Sequence, residues 1–397
     1  MTQTASARRR NFAITAFLFA TACCNLVVPL QVAKKLKSGY QDFVIYYGAG
    51  KMLREGRAAA LYNLSAQYQT QLTFAAVPIR QGALPFNHPP FEALLFLPFT
   101  WLSFWPAYLL WTAVSLAMLT ASLILLRRYS AIRGLHPVLI AASVLAFFPL
   151  ITELLQGQDV ILVLFAAVMA LTFLERGKDV AAGAWLSMGL VRPHMVIPLL
   201  LLLAVRRWRM LLGFVPVGFV LIGITVAIMG WRGPIEYLRF VLFVERTGIG
   251  NFGPQTVPNL RGLLGSLLGH FSRPLLALSV AVSSVGVFVA AARRIHSGRD
   301  GLAHSFCLAI VTTILVSFHA LPYDLTLLLP VVLFLLGAAM TDSESGPGRL
   351  LLLFVLFLSP VYIYLVFQVG QFFVYGLVML CLYVRLLRMH APAAEPA

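Results

Sequence analysis

From Asn11 to Ala33 the chain carries no charged residue, and stretches of the same kind recur to the C-terminal region. Runs of that length are too long and too uniformly apolar for the core of a water-soluble domain. They are what a bilayer requires, about 20 residues for each straight crossing helix. Composition agrees. Of 397 residues, 60% are hydrophobic and 11% charged, where soluble proteins carry roughly 25% charged residues. No hydrophilic stretch is long enough to build a soluble core of its own. The chain reads as a polytopic all-α membrane protein.

Charge then orients it. Arg8–Arg10, Arg127 with Arg128 and Arg133, Arg176 with Lys178, Arg206 with Arg207 and Arg209, Arg293 with Arg294 and Arg299, Arg349, and Arg385 with Arg388 form short basic clusters between apolar runs. Such clusters mark the cytoplasmic side. Threading spans between them predicts crossings at 11–32, 105–126, 136–152, 159–175, 179–191, 194–205, 210–230, 274–292, 302–320, 323–340, 348–366 and 371–388. That is about 12 spans in one transmembrane domain covering 1–397, with residues 11–32 as an uncleaved first span. Residues 179–191 and 194–205 are short and form an expected hairpin. Residues 88–103 are expected as a half-length helix at the outer face. Two long loops, 33–90 and 231–273, fall outside. The net charge of +16 follows from positive-inside topology and contact with anionic membrane lipids, and does not indicate nucleic acid.

Polar residues gather at the outer ends. They lie in Asp42, in "NHPPFE" (87–92), "ELLQGQD" (153–159), "VRPH" (191–194), "EYLRFVLFVER" (236–246) and "SFHALPYD" (317–324). Each has a structural reading. Asp42 can start or cap a helix whose Gly48-Ala49-Gly50 run allows close packing. Phe43, Tyr46, Tyr47, Met52 and Leu53 suit a helix lying at the membrane interface. His88 and the Gln156-Gly157-Gln158 turn can be turn residues. Arg192 can snorkel to headgroups, His319 can be a structural histidine, and Asp324 can cap the following span. Their convergence on one face favours a site, because ionisable groups beside apolar segments are costly. An acid with histidines and an arginine at a lipid-accessible outer face fits transfer of a group from a lipid phosphate. The acid accepts a proton, and the cationic and imidazole groups meet the leaving phosphate. The sequence contains no DxD, HExxH or paired-cysteine spacing and no Gly-rich nucleotide loop, so neither metal nor cofactor is expected. Cys23, Cys24, Cys307 and Cys381 lie in apolar runs and read as small core residues. Asn63-Leu64-Ser65 matches a glycosylation sequon by a pattern short enough to arise by chance.

"DFVIYYGAGKMLREGRAAALY" (42–62) resembles the opening signature of glycosyltransferase family 87. "NHPPFEALLFLPF", "LLQGQDVILVL", "GLVRPHMVIPLLLLL" and "SFHALPYDLTLLLP" follow in the order that family shows, so the resemblance spans about residues 11–340. It implies a GT-C-type fold and transfer of a hexose, mannose above all, from a polyprenyl-phosphate-sugar donor to a lipid-linked or cell-envelope glycan acceptor. The reaction would invert the anomeric centre on the extracytoplasmic side of the plasma or inner membrane. It implies Asp42 as general base and His319 as a required histidine near the donor phosphate. Arg192 stands where members often have lysine, and His194 where glutamine is common. Tyr46, His88, Gln158 and Asp324 complete the candidate substrate-binding set. Two other readings share these outer segments. A transporter or flippase of lipid-linked saccharides would place ionisable groups at midplane within repeats. An envelope glycan polymerase or ligase would use a diphosphate-linked donor.

Overall fold

The computed structural model describes residues 5–39, 41–75, 84–249, 253–269, 272–341 and 347–389. Every regular element among them is helical. Five helices are long and apolar enough to cross a membrane: Ala7–Lys37, Phe104–Leu126, Met210–Met229, Arg273–His296 and Pro322–Met340. Pro137–Ala146 and Phe148–Gln156 add a sixth span if taken together, although the pair is bent by 67°. By length and composition, the described residues thus account for five or six of the twelve expected crossings. Val160–Glu175, Asp179–Val191, Pro193–Ala204 and Leu302–Val316 are apolar but shorter than a straight span.

Two of these helices can be short because protein surrounds them. Thirteen of the fifteen residues of Leu302–Val316 are buried, and Val160–Glu175 is buried on most of its surface. The long helices instead divide their faces. On Phe104–Leu126, Tyr108, Trp111, Ser115, Leu119 and Ser122 recur at helical spacing and point inward. Leu109, Leu110, Leu116 and Ile124 face outward, toward lipid. Hydroxyls within the apolar helices satisfy themselves on the preceding turn, as Ser122 Oγ does on the Met118 carbonyl (2.8 Å) and Thr312 Oγ1 on that of Leu308 (2.7 Å). Of the cysteines read as core residues only Cys307 is buried; Cys23, Cys24 and Cys381 are exposed on the outer surface of the bundle.

The first of the two loops expected outside folds onto the bundle as a second hydrophobic cluster. Phe43, Val44, Tyr46, Tyr47 and Met52 of the Phe43–Arg54 helix are buried. They pack with Phe96, Phe104, Tyr108 and Trp111. The aromatic face expected at the lipid interface is thus turned into protein. Gly50 permits this: a Cβ there would meet the backbone of Phe96 at 2.9 Å. The bases of this helix are engaged as well. Lys51 and Arg57 pair with Glu55, and Arg54 donates to the Thr100 carbonyl. The expected half-length outer helix appears as Pro90–Phe96 followed by a 3-10 turn at Leu97–Trp101.

Two glutamines hold the segment that leads into it. Gln71 Nε2 donates to the Leu84 carbonyl (2.8 Å), and Gln71 Oε1 accepts from the Leu84 amide (3.1 Å). Gln67 Oε1 accepts from the Phe86 amide (2.9 Å). Their helix, Leu64–Leu72, is capped by Asn63, whose side chain accepts from the Ala66 amide. The sequon asparagine is therefore a helix cap.

Asp179–Ser187 and Met210–Met229 touch backbone to backbone. A Cβ on Gly183 would overlap the Met210 carbonyl, and one on Gly213 the Val180 carbonyl. Small residues let membrane helices approach in this way. Gly183→Val or Gly213→Val is expected to cost about 1–3 kcal/mol by overpacking, read as a lowered thermal midpoint in detergent. Gly223→Ala on the same helix as Gly213, where a Cβ meets nothing within 4 Å, is expected to leave the midpoint unchanged or raise it.

Candidate active site

Asp42 occupies the position before the Phe43–Arg54 helix, yet its side chain makes no capping bond. Its carboxylate Oδ2 accepts from Gln158 Nε2 at 2.8 Å, and its backbone N–H donates to Gln156 Oε1 at 3.0 Å. The two glutamines flank Gly157, which ends the Phe148–Gln156 helix in the left-handed region (φ +63°). A Cβ there would crowd Phe43 and Tyr108. Only glycine suits both the dihedral and the space. The turn is fixed from outside by Tyr108, whose hydroxyl donates to the Leu154 carbonyl (3.0 Å), and by Trp111, whose indole N–H reaches the carbonyls of Gly157 and Gln158 (3.1 Å each).

Gln158 joins Asp42 to a buried centre. Its Oε1 accepts from the Tyr46 hydroxyl (2.5 Å) and from the Arg192 guanidinium. Arg192, at the tip of the expected short hairpin, is 3% exposed. Its Nε donates to Asp159 Oδ1 (2.5 Å) and its Nη1 to Asp324 Oδ1 (2.7 Å). Asp324 Oδ2 accepts the Leu321 amide (2.6 Å). The arginine expected to snorkel or to await a phosphate is therefore already paired with two carboxylates. Tyr46 and Asp324, expected to touch substrate, are fully buried behind the wall and hold Arg192 and Gln158 in place.

In front of this centre lies a cavity of about 650 Å³, lined by Asp42, His88, Gln158, Arg192, His194 and His319 among others. Six of the eight residues singled out in the sequence thus share one wall. His194 and His319 meet edge to face, with ring centroids 6.2 Å apart. The His319 segment is anchored by residues of the second long loop, 231–273. Asn259 Nδ2 donates to the Ser317 carbonyl (2.7 Å), and Arg261 Nη1 to that of Phe318 (3.0 Å). Burial, helped by the charges of Arg192 and Arg261, pushes the His319 imidazole down to about 3. At neutral pH it offers one N–H and one lone pair rather than a cation. Burial likewise pushes His88 down to about 4.

Three acids that the sequence places in its polar segments without a role of their own are also brought here by the fold. Glu92, Glu153 and Asp159 are all fully buried. The signal was present: each is an ionisable residue in an apolar context, and Glu92 lies one helical turn beyond His88. His88, Glu92 and Asp159 also offer metal-ligand atoms at close spacing. A search for linear metal motifs misses them, because Asp159 comes from a different segment.

The paired state of Arg192 has a measurable consequence. Arg192→Ala leaves Asp159 and Asp324 buried without their cation, a change that costs about 3–5 kcal/mol in comparable buried pairs. A large fall in thermal midpoint without any ligand present is expected. An arginine that merely awaited substrate would leave the empty protein's midpoint nearly unchanged.

No curated protein and no solved structure matches the chain. The family model of glycosyltransferase family 87 matches residues 86–322. The match begins after the opening signature that contains Asp42 and takes in His88, Gln158, Arg192, His194 and His319. It covers more than half of the sequence, and the chain belongs to glycosyltransferase family 87.

Proposed function

We propose that this membrane glycosyltransferase moves a hexose, mannose in the first instance, from a polyprenyl-phosphate-sugar donor to a lipid-linked or cell-envelope acceptor, with inversion, at the extracytoplasmic face. The observation that carries the reading is the seating of Asp42. Its carboxylate borders the cavity, and the Gln158 amide fixes its orientation. In the proposed step the acceptor hydroxyl gives its proton to Asp42 while its oxygen forms a bond to the anomeric carbon. The bond from that carbon to the phosphate oxygen breaks, and the electron pair leaves with polyprenyl phosphate. An oriented carboxylate is suited to this role, because a general base must reach the proton before its basicity matters. His319 and His194 are assigned to the phosphate side, where imidazole N–H groups stabilise charge that grows on the leaving oxygen. Arg192 acts at one remove in this reading: it holds Gln158, and Gln158 holds the base.

Two expectations test it. Asp42→Asn keeps the shape of the side chain but cannot take a proton, and general bases contribute about 10²–10⁴-fold. Turnover of a polyprenyl-phosphate-sugar in nanodiscs is expected to fall into that range with the fold intact. Near-normal turnover would remove Asp42 from the role. Reporter fusions after residues 60 and 245 are expected to read external, and fusions after 130, 207 and 296 internal. An internal reading at 60 would place the base on the side opposite to the one proposed.

A further inference from the structure

Behind His88 lies a group of side chains that the proposed transfer does not use. His88 comes from the segment clamped by Gln67 and Gln71, Glu92 from the first turn of the Pro90–Phe96 helix, and Asp159 from the position before Val160–Glu175. One donor atom from each lies within 4.8 Å of the others. Ligands on opposite sides of a Zn²⁺ ion, at bond lengths of roughly 2.0–2.2 Å, stand about 4–4.4 Å apart, so the three atoms are near the spacing of a single ion and would draw in slightly to hold one.

A second observation points the same way. Glu92 Oε1 and Asp159 Oδ2 are buried and, among the described residues, meet no N–H or neutral hydroxyl donor; the two carboxyl groups can satisfy each other only by sharing a proton. Both residues are fully shielded from solvent. A buried carboxylate oxygen without a donor is costly, and two such oxygens beside each other are more so. The neighbouring cation does not relieve them. Arg192 divides its charge between Asp159 Oδ1 and Asp324 Oδ1. The contacts of His88 are consistent with a ligand role. One ring nitrogen faces Glu92 Oε2 at 3.0 Å, and the other is only 3.4 Å from the Tyr46 hydroxyl.

We propose that His88, Glu92 and Asp159 bind one divalent transition-metal ion behind the cavity wall. One imidazole and two carboxylates form a mixed nitrogen–oxygen set. Such a set suits Mn²⁺ or Zn²⁺ better than Ca²⁺, which prefers oxygen ligands alone. Two carboxylates and a neutral imidazole offset part of the charge of the ion, since Asp159 also serves Arg192. The Tyr46 hydroxyl, donating to Gln158 and lying 3.4 Å from Asp159 Oδ1, stands beside the site as an orienting group of the kind metal centres use. The ion would brace the first outer loop against the bundle, since two ligands belong to the loop and one to a buried helix. It would also set a positive charge beside Arg192, and through Gln158 beside Asp42. The inference does not depend on the identity of the sugar or the acceptor.

The test reads binding without turnover. Full-length protein in detergent is stripped with a chelator and titrated with Mn²⁺, and the free-ion signal is followed by electron paramagnetic resonance. Thermal midpoints are recorded before stripping, after it, and after adding Mn²⁺ or Zn²⁺. Loss of the free-ion signal up to about one equivalent is expected, together with a midpoint that falls on stripping and recovers with metal. Glu92→Gln and His88→Gln are each expected to weaken Mn²⁺ binding by at least about tenfold. Asp159→Asn is less informative, because it also removes a partner of Arg192. An undiminished free-ion signal with the parent protein would overturn the site and leave a proton shared between Glu92 and Asp159 as the occupant. Unaltered binding in Glu92→Gln and His88→Gln would overturn it too, by showing that the ion sits elsewhere.

Discussion

The ion triad of Arg192 with Asp159 and Asp324 is the constraint on which the rest of the site depends. A guanidinium and two carboxylates are removed from water here, which is favourable only when geometry and additional hydrogen bonds compensate. They come from three places in the chain: the hairpin tip, the start of Val160–Glu175 and the 3-10 turn at Pro322–Leu328. The elements must therefore assemble before the charges are satisfied. Gln158 and Tyr46 complete the network, and through them the geometry of Asp42 becomes a property of the bundle interior. The planar fork of arginine can serve two carboxylates and an amide oxygen at once, which the point charge of a lysine cannot do.

Much of the site was legible in the sequence. In a chain this apolar, a polar residue at the end of a run stands out, and six segments with such residues lie around one cavity. The short hairpin and the half-length outer helix also follow from run length. What was not legible has one cause. Hydropathy reports that a segment leaves water, but not whether it then meets lipid or protein. Val160–Glu175 and Met210–Met229 look alike in sequence, yet the first is enclosed and the second faces mostly outward. Run length alone does not separate the two cases, and among the described residues five or six helices have the length of a straight span. The aromatic helix at 43–54 was read as interfacial for the same reason. Its partners, Phe96 and Phe104, lie too far along the chain for any local pattern to reveal them.

The charged residues show a related limit. Sequence indicates that Arg192 is basic, but not that Asp159 and Asp324 already occupy it. Glu92 and Glu153 read as parts of polar turns, and only the fold shows them sealed from solvent. Placing such groups takes long-range contacts. The clamp made by Gln67 and Gln71 is a further example, since neither glutamine differs in local context from a surface residue.

The enclosure of the short helices has a further consequence, for how the enzyme responds to its bilayer. Val160–Glu175 has sixteen residues, about 24 Å at 1.5 Å per residue, against a hydrocarbon thickness near 30 Å. Exposed to lipid, it would suffer hydrophobic mismatch. Packed against Phe104–Leu126 and the Pro322–Leu328 turn, with most of its residues buried, it is spared that contact. Longer helices that face lipid can meet changes in membrane thickness by tilting, at a cost of fractions of a kcal/mol per ångström. The helix that follows Asp159 does not meet the lipid directly, whereas the Pro193–Ala204 helix beyond Arg192 keeps Ile197 and Leu201 exposed.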